Sequence, residues 1–542
     1  MPTDSRRNFL ITAGTLAGTG VAVAPAQEPQ RSDRAEKALN LRRAAALAES
    51  LRAPASTVTN GDETRYPSRF ANFTKGFLHS QLGEVDAASY NAMLHALTTQ
   101  QHSDFEAIPL GYGRKFVNME SAFTYDLEGG DPHTFSMPVP PSFPSAQAAA
   151  EMVELYWQAT LRDTPFSQLA SSPVAQAAAA ELNALSGYQG PRDASNRVTT
   201  ATLFRGNAPG CLVGPYVSQY LLQPVYFGST PREQTYRTGM PGLDYMTAYS
   251  EWLEIQSGLP PYRTEVFDPT FRYIRNGRDL AQFVHYDYTY QAFLQAALII
   301  LGQYPEAVLN FNTYQLNKTN PYKGSRIQTG FTTFGSAHVL DWVARVANLA
   351  LKPACYQKWA VHRRVRPEAF AGCVYNTLAG AAKYPVHPDL LNSKGLAANI
   401  QSSGNALLPQ AYVEGCPLHP SYPAGHAVIA GACTTVLKAL FAEADLVSGV
   451  VVPSDDGLSL IPAANEALTI GGELNKLAFN IPMGRDWAGI HYRSDAAAGL
   501  DLGEAVAIAF MKDNVGTFTE SFTGFQFTAF DGTPVSIPAR NS

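Results

Sequence analysis

Pro417-Leu418-His419-Pro420-Ser421-Tyr422-Pro423-Ala424-Gly425-His426 runs directly into an apolar segment, residues 427–441. Pro423 and Gly425 break the incoming chain, and Val428, Ala432, Val436 and Leu440 then recur at helical spacing. The pattern predicts a buried helix with His426 in its first turn. The start of such a helix offers backbone N–H groups without intrahelical acceptors and the positive end of the helix dipole, both of which favour an oxyanion. A lone histidine there is as readily explained by packing. Two further cationic segments raise the stakes: Lys358 with Arg366, and Arg485 with His491. Three permanent positive charges, two histidines and a helix N-terminus exceed what one buried carboxylate needs. They suit a tetrahedral or trigonal-bipyramidal oxyanion such as phosphate or vanadate.

The spacing within each segment carries its own expectations. Eight steps separate Lys358 from Arg366, which on one helix sets them about 80° apart in rotation and roughly 12 Å along the axis. Both side chains are long enough to converge on one anion, and Pro367 is expected to end that helix beside Arg366. Arg363 and Arg364 point elsewhere on such a helix and read as surface charges, while His362 reads as a structural or hydrogen-bonding residue. His491 and Asp495 stand four apart. On a helix they share a face, so Asp495 can accept the ring N–H of His491, fix its tautomer and leave the other nitrogen free as a ligand. Arg493 reads as a salt-bridge residue.

At 542 residues the chain can bury a large core, and it shows no fixed repeat and no biased linker. A mainly helical domain over 27–542 is the simplest organisation. The net charge of −6 leaves no basic footprint, which argues against nucleic acid as a partner. No run of eighteen apolar residues follows the N-terminus, so no membrane span is expected. Ser5-Arg6-Arg7-Asn8-Phe9-Leu10, the weakly apolar residues 11–23 and Ala24-Pro25-Ala26 together resemble a twin-arginine export signal over residues 1–26. The expectation is an extracellular or periplasmic protein. The five cysteines, Cys211, Cys355, Cys373, Cys416 and Cys433, are too scattered for a zinc site. Their odd number leaves at least one unpaired, and Cys433 reads as a buried thiol.

Helical periodicity predicts helices near 87–98, 146–160, 174–185, 242–257, 278–302, 336–350 and 353–366, with residues 206–223 a turn running into a helix. Glu151 and Glu154 are expected on the wetter side of the second of these. Residues 103–145 and 309–333 read as irregular, the latter as a pocket lining.

In chain order, Lys-x7-Arg-Pro, His-Pro-Ser-Tyr-Pro-Ala-Gly-His and Arg-x5-His-x3-Asp resemble the vanadium-dependent haloperoxidases and their relatives, the type 2 phosphatidic-acid phosphatases and bacterial acid phosphatases. The eight-step offset and the His-Pro-Ser-Tyr-Pro phrase look closest to the algal and bacterial bromoperoxidase branch. The likeness extends through Asn72-Phe73-Thr74-Lys75-Gly76, Gly210-Cys211-Leu212-Val213-Gly214-Pro215-Tyr216 and Leu280-Ala281-Gln282-Phe283-Val284-His285. It implies an all-α fold of two four-helix bundles, the first roughly 66–300 and the second, cofactor-bearing, roughly 301–542, and a possible homodimer.

The same resemblance implies vanadate as cofactor, with hydrogen peroxide and a halide, bromide before chloride, as substrates and an electron-rich aromatic or alkene as the halogen acceptor. His491 would bond vanadium; Lys358, Arg366, Arg485 and the Gly425 N–H would hold the vanadate oxygens. His426 would be the acid–base group, and His419 matches a further histidine near the cofactor. Ala424 departs from the algal pattern, which has Ser there; one lost donor costs about 1–3 kcal/mol unless water replaces it. Two other activities fit the same cradle: a non-oxidative rearrangement, isomerisation or cyclisation of a meroterpenoid, as in diverted bacterial relatives, and phosphate-ester hydrolysis with His491 as nucleophile.

Overall fold

The structure is a computed structural model and describes residues 33–302, 316–463 and 467–539. The export-signal reading of residues 1–26 therefore lies outside the described residues, as does the first part of 309–333. The longer helices, numbered in chain order, are α1 Asp33–Ser50, α2 Ala87–Thr99, α3 Ala146–Leu161, α4 Pro173–Ala184, α5 Tyr249–Gln256, α6 Gly277–Phe283, α7 Gln291–Ile300, α8 Ser336–Cys355, α9 Pro367–Leu378, α10 Lys394–Ser403, α11 Gly425–Leu440, α12 Ile470–Trp487 and α13 Arg493–Asn514. Three two-stranded antiparallel ribbons, Val225–Phe227 with Thr230–Arg232, Val451–Pro453 with Leu460–Pro462, and Gly524–Thr528 with Pro534–Pro538, add the strands. The expected all-α class holds. Among the described residues no helix is long and apolar enough to cross a membrane.

The apolar residues 427–441 do form the central helix. In α11 every residue from Ala427 to Leu440 is buried, and it packs against α13, α8 and α12. Small residues set how close α13 comes. A Cβ on Gly431 would lie 2.2 Å from Leu500 O, and one on Gly503 would lie 2.0 Å from Val428 O. The two backbones touch there, and any side chain would force them apart. One apolar cluster runs from Ala71 to Ile537 and includes residues of nearly every helix.

Several expected elements are corrected. The helix read over 278–302 is two, because the chain turns through residues 284–290 between α6 and α7. The helix of 242–257 shortens to α5, and 206–223 contains only the short 3-10 turn Gln219–Leu221. Glu151 and Glu154 are buried rather than wet, since α3 is covered along almost its whole length. Each finds an arginine: Arg364 Nη2 is 2.7 Å from Glu151 Oε2, and Arg493 Nε is 2.9 Å from Glu154 Oε2. Arg493 is thus the salt-bridge residue expected, but Arg364 is no surface charge. Arg363 pairs with Glu63 at 2.7 Å and is largely covered. From residue 316 on, the expected pocket lining is met in part: Asn317, Lys318 and Lys323 face Glu443 and Gln526 across a cleft of about 700 Å³.

The segment after α8 matters most for the site. Pro353 lies inside α8 and removes one helical N–H, and from Tyr356 to His362 the chain runs as a π-helix. Its wider turn closes where Arg363 N–H donates to Lys358 O at 3.0 Å, and Arg363 then turns left-handed at φ 41°. Arg366 is extended and caps α9, with Pro367 in the first position of that helix. Lys358 and Arg366 consequently sit on different elements, and Pro367 starts a helix instead of ending one.

Candidate active site

Four elements bring the basic residues together. Lys358 comes from the π-helix, Arg366 from the start of α9, Arg485 from the last turn of α12, and His491 from the short link into α13. The loop 417–426 threads among them. Lys358 Nζ donates to Pro420 O at 2.8 Å, to Ser421 O at 3.0 Å and to Pro423 O. Arg366 donates from Nε to His419 O at 3.0 Å and from Nη1 to Ile490 O at 2.7 Å. Its Nη2 reaches His419 Nδ1 at 3.0 Å and its Nη1 reaches His491 Nε2 at 2.9 Å. Arg485 Nη1 donates to Val284 O, and its Nε is buried without a partner.

None of these bonds from Lys358, Arg366 or Arg485 goes to a carboxylate. Burial and the neighbouring Arg366 push Lys358 well below the ordinary lysine range, and burial likewise lowers Arg366. Such charge excess is costly inside a protein. An anion drawn in among the three basic groups reverses the cost and restores the charged form of Lys358.

His491 is prepared to face that anion. Its Nδ1 lies 2.8 Å from Asp495 Oδ2, so the N–H sits on Nδ1 and the Nε2 lone pair turns toward Arg366. Burial, then Arg366, hold its pKa well below the ordinary histidine value, which keeps the ring neutral. The pairing expected from the four-residue spacing is present, although His491 precedes α13 and Asp495 is its third residue. Burial alone would raise the Asp495 carboxyl, but Arg364 at 2.7 Å and the hydrogen bonds from His491 and Ser421 hold it far below the carboxylate range. His419 is pushed down by burial and by Lys358 and Arg366.

Gly425 opens α11, where the first N–H groups have no intrahelical acceptor. A Cβ on Gly425 would meet only Leu351 Cδ2 at 3.8 Å, so the protein itself leaves the space beside this amide open. Ala424 is fully buried at the N-cap and offers no side-chain cap. His426 lies one step on, its Nε2 3.0 Å from Asp287 Oδ1, with its side chain 26% exposed. Its ring therefore reaches the solvent side of the site.

All nine residues singled out from sequence thus face one region. Sequence reasoning missed Asp287, Arg364, Glu151 and Ser421. Ser421 lay inside the quoted motif, which was the available sign, and its hydroxyl donates to Asp495 at 2.5 Å. Of the structural and hydrogen-bonding roles expected for His362, the structural one holds: both ring nitrogens are buried without partners among the described residues, and the ring meets Tyr422 edge-on at 5.0 Å.

A family model described as the VCPO second helical-bundle domain matches residues 400–518, which span α11, α12 and α13. A vanadium-dependent bromoperoxidase of Ascophyllum nodosum is 36% identical over 490 residues, covering 86% of each chain. The chain belongs to the vanadium-dependent haloperoxidase family. A second member, the vanadium-dependent bromoperoxidase of Corallina pilulifera, is 33% identical over 93% of this chain and 98% of its own. The solved structure of a second, homohexameric vanadate-dependent bromoperoxidase of Ascophyllum nodosum superposes with a TM-score of 0.89 at 30% identity, covering 98% of this chain and 95% of that one. Family membership and the open cradle at Gly425 agree: buried cations to which no carboxylate of the described residues is bonded, a helix N-terminus and one neutral imidazole form a donor set that fits vanadate.

Proposed function

We propose that this chain is a vanadate-dependent haloperoxidase that uses hydrogen peroxide to oxidise bromide, and less readily chloride, and so halogenates an electron-rich aromatic or alkene. The balance is halide, peroxide and a proton giving hypohalous acid and water; transfer of the halogen to the organic carbon then releases a second water. The observation that carries this reading is the set Lys358, Arg366 and Arg485 buried with no carboxylate among the described residues bonded to any of them, around the Nε2 side of His491.

When bound, vanadate supplies Lewis acidity toward peroxide without a change of oxidation state. His491 would hold the metal through Nε2, the nitrogen that faces Arg366 Nη1. Lys358, Arg366, Arg485 and the Gly425 amide would hold the oxygens and withdraw charge from the oxygen that halide attacks. Asp495 keeps the proton on His491 Nδ1 throughout. His426 takes a proton from incoming peroxide and returns one to the departing oxygen; Asp287 orients its ring, and partial exposure lets it re-equilibrate with solvent.

The test is purified protein with orthovanadate, peroxide and bromide, with a cyclic diketone as the bromine acceptor. Vanadate-dependent bromination is expected. No turnover from acid to neutral pH, with product from a terpenoid substrate in the absence of vanadate, peroxide and halide, would overturn the reading in favour of an isomerase; hydrolysis of phosphate esters blocked by vanadate would favour a phosphatase.

The same reading includes export by the twin-arginine route, supported by the Arg6-Arg7 sequence and the small residues at 24–26. It also includes a self-assembled state, supported by the homohexamer described for the solved relative. Fractionation of expressing cells and light scattering of the pure protein test these two points.

A further inference from the structure

The connection between α6 and α7, residues 284–290, delivers two atoms to the site. Val284 O accepts from Arg485 Nη1, and Asp287 Oδ1 lies 3.0 Å from His426 Nε2. Between these residues is His285, whose ring faces two carboxylates from distant segments. Its Nε2 is 2.7 Å from Glu414 Oε1 and its Nδ1 is 3.4 Å from Glu265 Oε1. The ring also stacks on Tyr412 at 3.7 Å and 9°, and the Arg485 guanidinium stands 5.5 Å from the centre of that same tyrosine. Tyr412 is fixed in turn by its hydroxyl donating to Ala281 O at 2.6 Å.

Each glutamate makes a further contact. Glu265 Oε2 accepts from Tyr286 at 2.5 Å. The Glu414 carbonyl accepts from Lys75 Nζ at 2.7 Å, and Lys75 is ion-paired with Glu368 at 2.6 Å in full burial. His285 therefore ties the seven-residue link to two distant segments, by a hydrogen bond to Glu414 and an ion-pair contact with Glu265, which also takes the Tyr286 hydroxyl of the same link.

We propose that His285 is a positioning residue: clamped between Glu265 and Glu414, it fixes the 284–290 connection and thereby sets where Val284 O and Asp287 meet Arg485 and His426. The role rests on the haloperoxidase reading only for what the site does with its oxyanion. It requires His285 to be charged. Burial opposes that charge, but Glu265 and Glu414 overcome it and raise the pKa above the ordinary value. The other groups facing the clamp are Tyr412 and Tyr286, with Arg237 5.5 Å from the Tyr286 ring, and Lys75 and Arg114 acting on Glu414 and Glu368. A raised folded pKa means the clamp is complete below the ordinary histidine value near 6.5 and is lost as pH rises through the folded one.

The experiment compares His285→Gln and His285→Lys with wild type by equilibrium dialysis of orthovanadate across pH, each expressed as the ratio to wild type so that oxyanion speciation cancels. His285→Gln should bind about tenfold more weakly at acid pH, the loss usual for a disrupted supporting contact, and converge on wild type as pH rises. His285→Lys keeps a cation between the carboxylates; it should match wild type at acid pH and bind more tightly than wild type at alkaline pH. A Gln ratio of one at every pH overturns the proposal, and so does a loss that does not vary with pH, the mark of a merely structural role. Should the Lys variant not fold, the Gln series decides alone. Phosphate is run as a second probe. A wild type that binds phosphate but not orthovanadate overturns the haloperoxidase reading while the ratio test on phosphate still judges the clamp.

Discussion

His491 Nδ1 and Asp495 Oδ2 are 2.8 Å apart, and the other oxygen of the same carboxylate takes Arg364 Nη1 at 2.7 Å. One fully buried carboxylate thus orients the imidazole on one side and neutralises an arginine on the other. Replacing Asp495 by Asn should weaken orthovanadate binding by about 10- to 100-fold, because the ring loses the acceptor that fixes its tautomer. Replacing it by Ala should also destabilise the fold by about 3–5 kcal/mol, since Arg364 is left buried with half its partners. Dialysis and urea unfolding measure the two effects separately.

Lys358 is buried with only carbonyl oxygens as hydrogen-bond partners, so keeping it charged is costly. Lys358→Met should therefore raise the melting temperature of the oxyanion-free protein while abolishing its response to orthovanadate. In wild type a hundredfold excess of orthovanadate over its dissociation constant should add about 2.7 kcal/mol. Scanning calorimetry of both proteins with and without the oxyanion checks this, and an equal vanadate response in the variant would refute it.

His362 contributes one defined part of the pH dependence of stability, beside the similarly buried His79 and His338. Burial pushes His362 down to about 4, and its ring has no hydrogen-bond partner to lose. A depressed folded pKa means stability is complete above the ordinary value near 6.5 and falls as pH drops toward 4. His362→Phe removes the part of the slope that this residue contributes. At pH 5 the variant should gain on the order of 2 kcal/mol relative to its position at pH 8, read from urea midpoints at the two pH values.

Ala424 caps α11 without a side-chain hydrogen bond. A serine there supplies an oxygen for a free N–H of the first turn, worth about 1 kcal/mol, and a hydroxyl proton for an oxyanion. Ala424→Ser should melt higher and bind orthovanadate more tightly. Unchanged affinity would mean that the hydroxyl does not face the anion.

All five cysteines are unpaired, and only Cys355 is not buried. Burial raises Cys211 to about 12 and moves Cys373, Cys416 and Cys433 upward as well. A thiol-reactive dye should titrate one thiol promptly in the native protein and five after denaturation, and reductant should leave the melting temperature unchanged.

The parts of the fold legible in the sequence are those written in local periodicity. The small and apolar spacing from 427 to 441 marked α11, and the four-residue interval marked the His491–Asp495 contact. What escaped depends on partners distant in the chain. Glu151 and Glu154 looked wet because a carboxylate does so until its arginine is known, and Arg364 lies 213 residues from Glu151. Asp287 is 139 residues from His426, with no spacing to announce it. The break between Lys358 and Arg366 was hidden for another reason: the fixed φ of Pro367 suits a helix start as well as a helix stop, and the π-turn closes through backbone atoms that every residue carries.

That π-turn makes the length of residues 356–362 itself a determinant of chemistry. Removing a single residue would let the segment relax into an ordinary α-helix and swing Lys358 by roughly 100° about the axis, away from the carbonyls of Pro420, Ser421 and Pro423. Loops elsewhere on the molecule can lengthen or shorten over evolutionary time, whereas here a one-codon deletion would disarm the protein without touching any of its reactive groups.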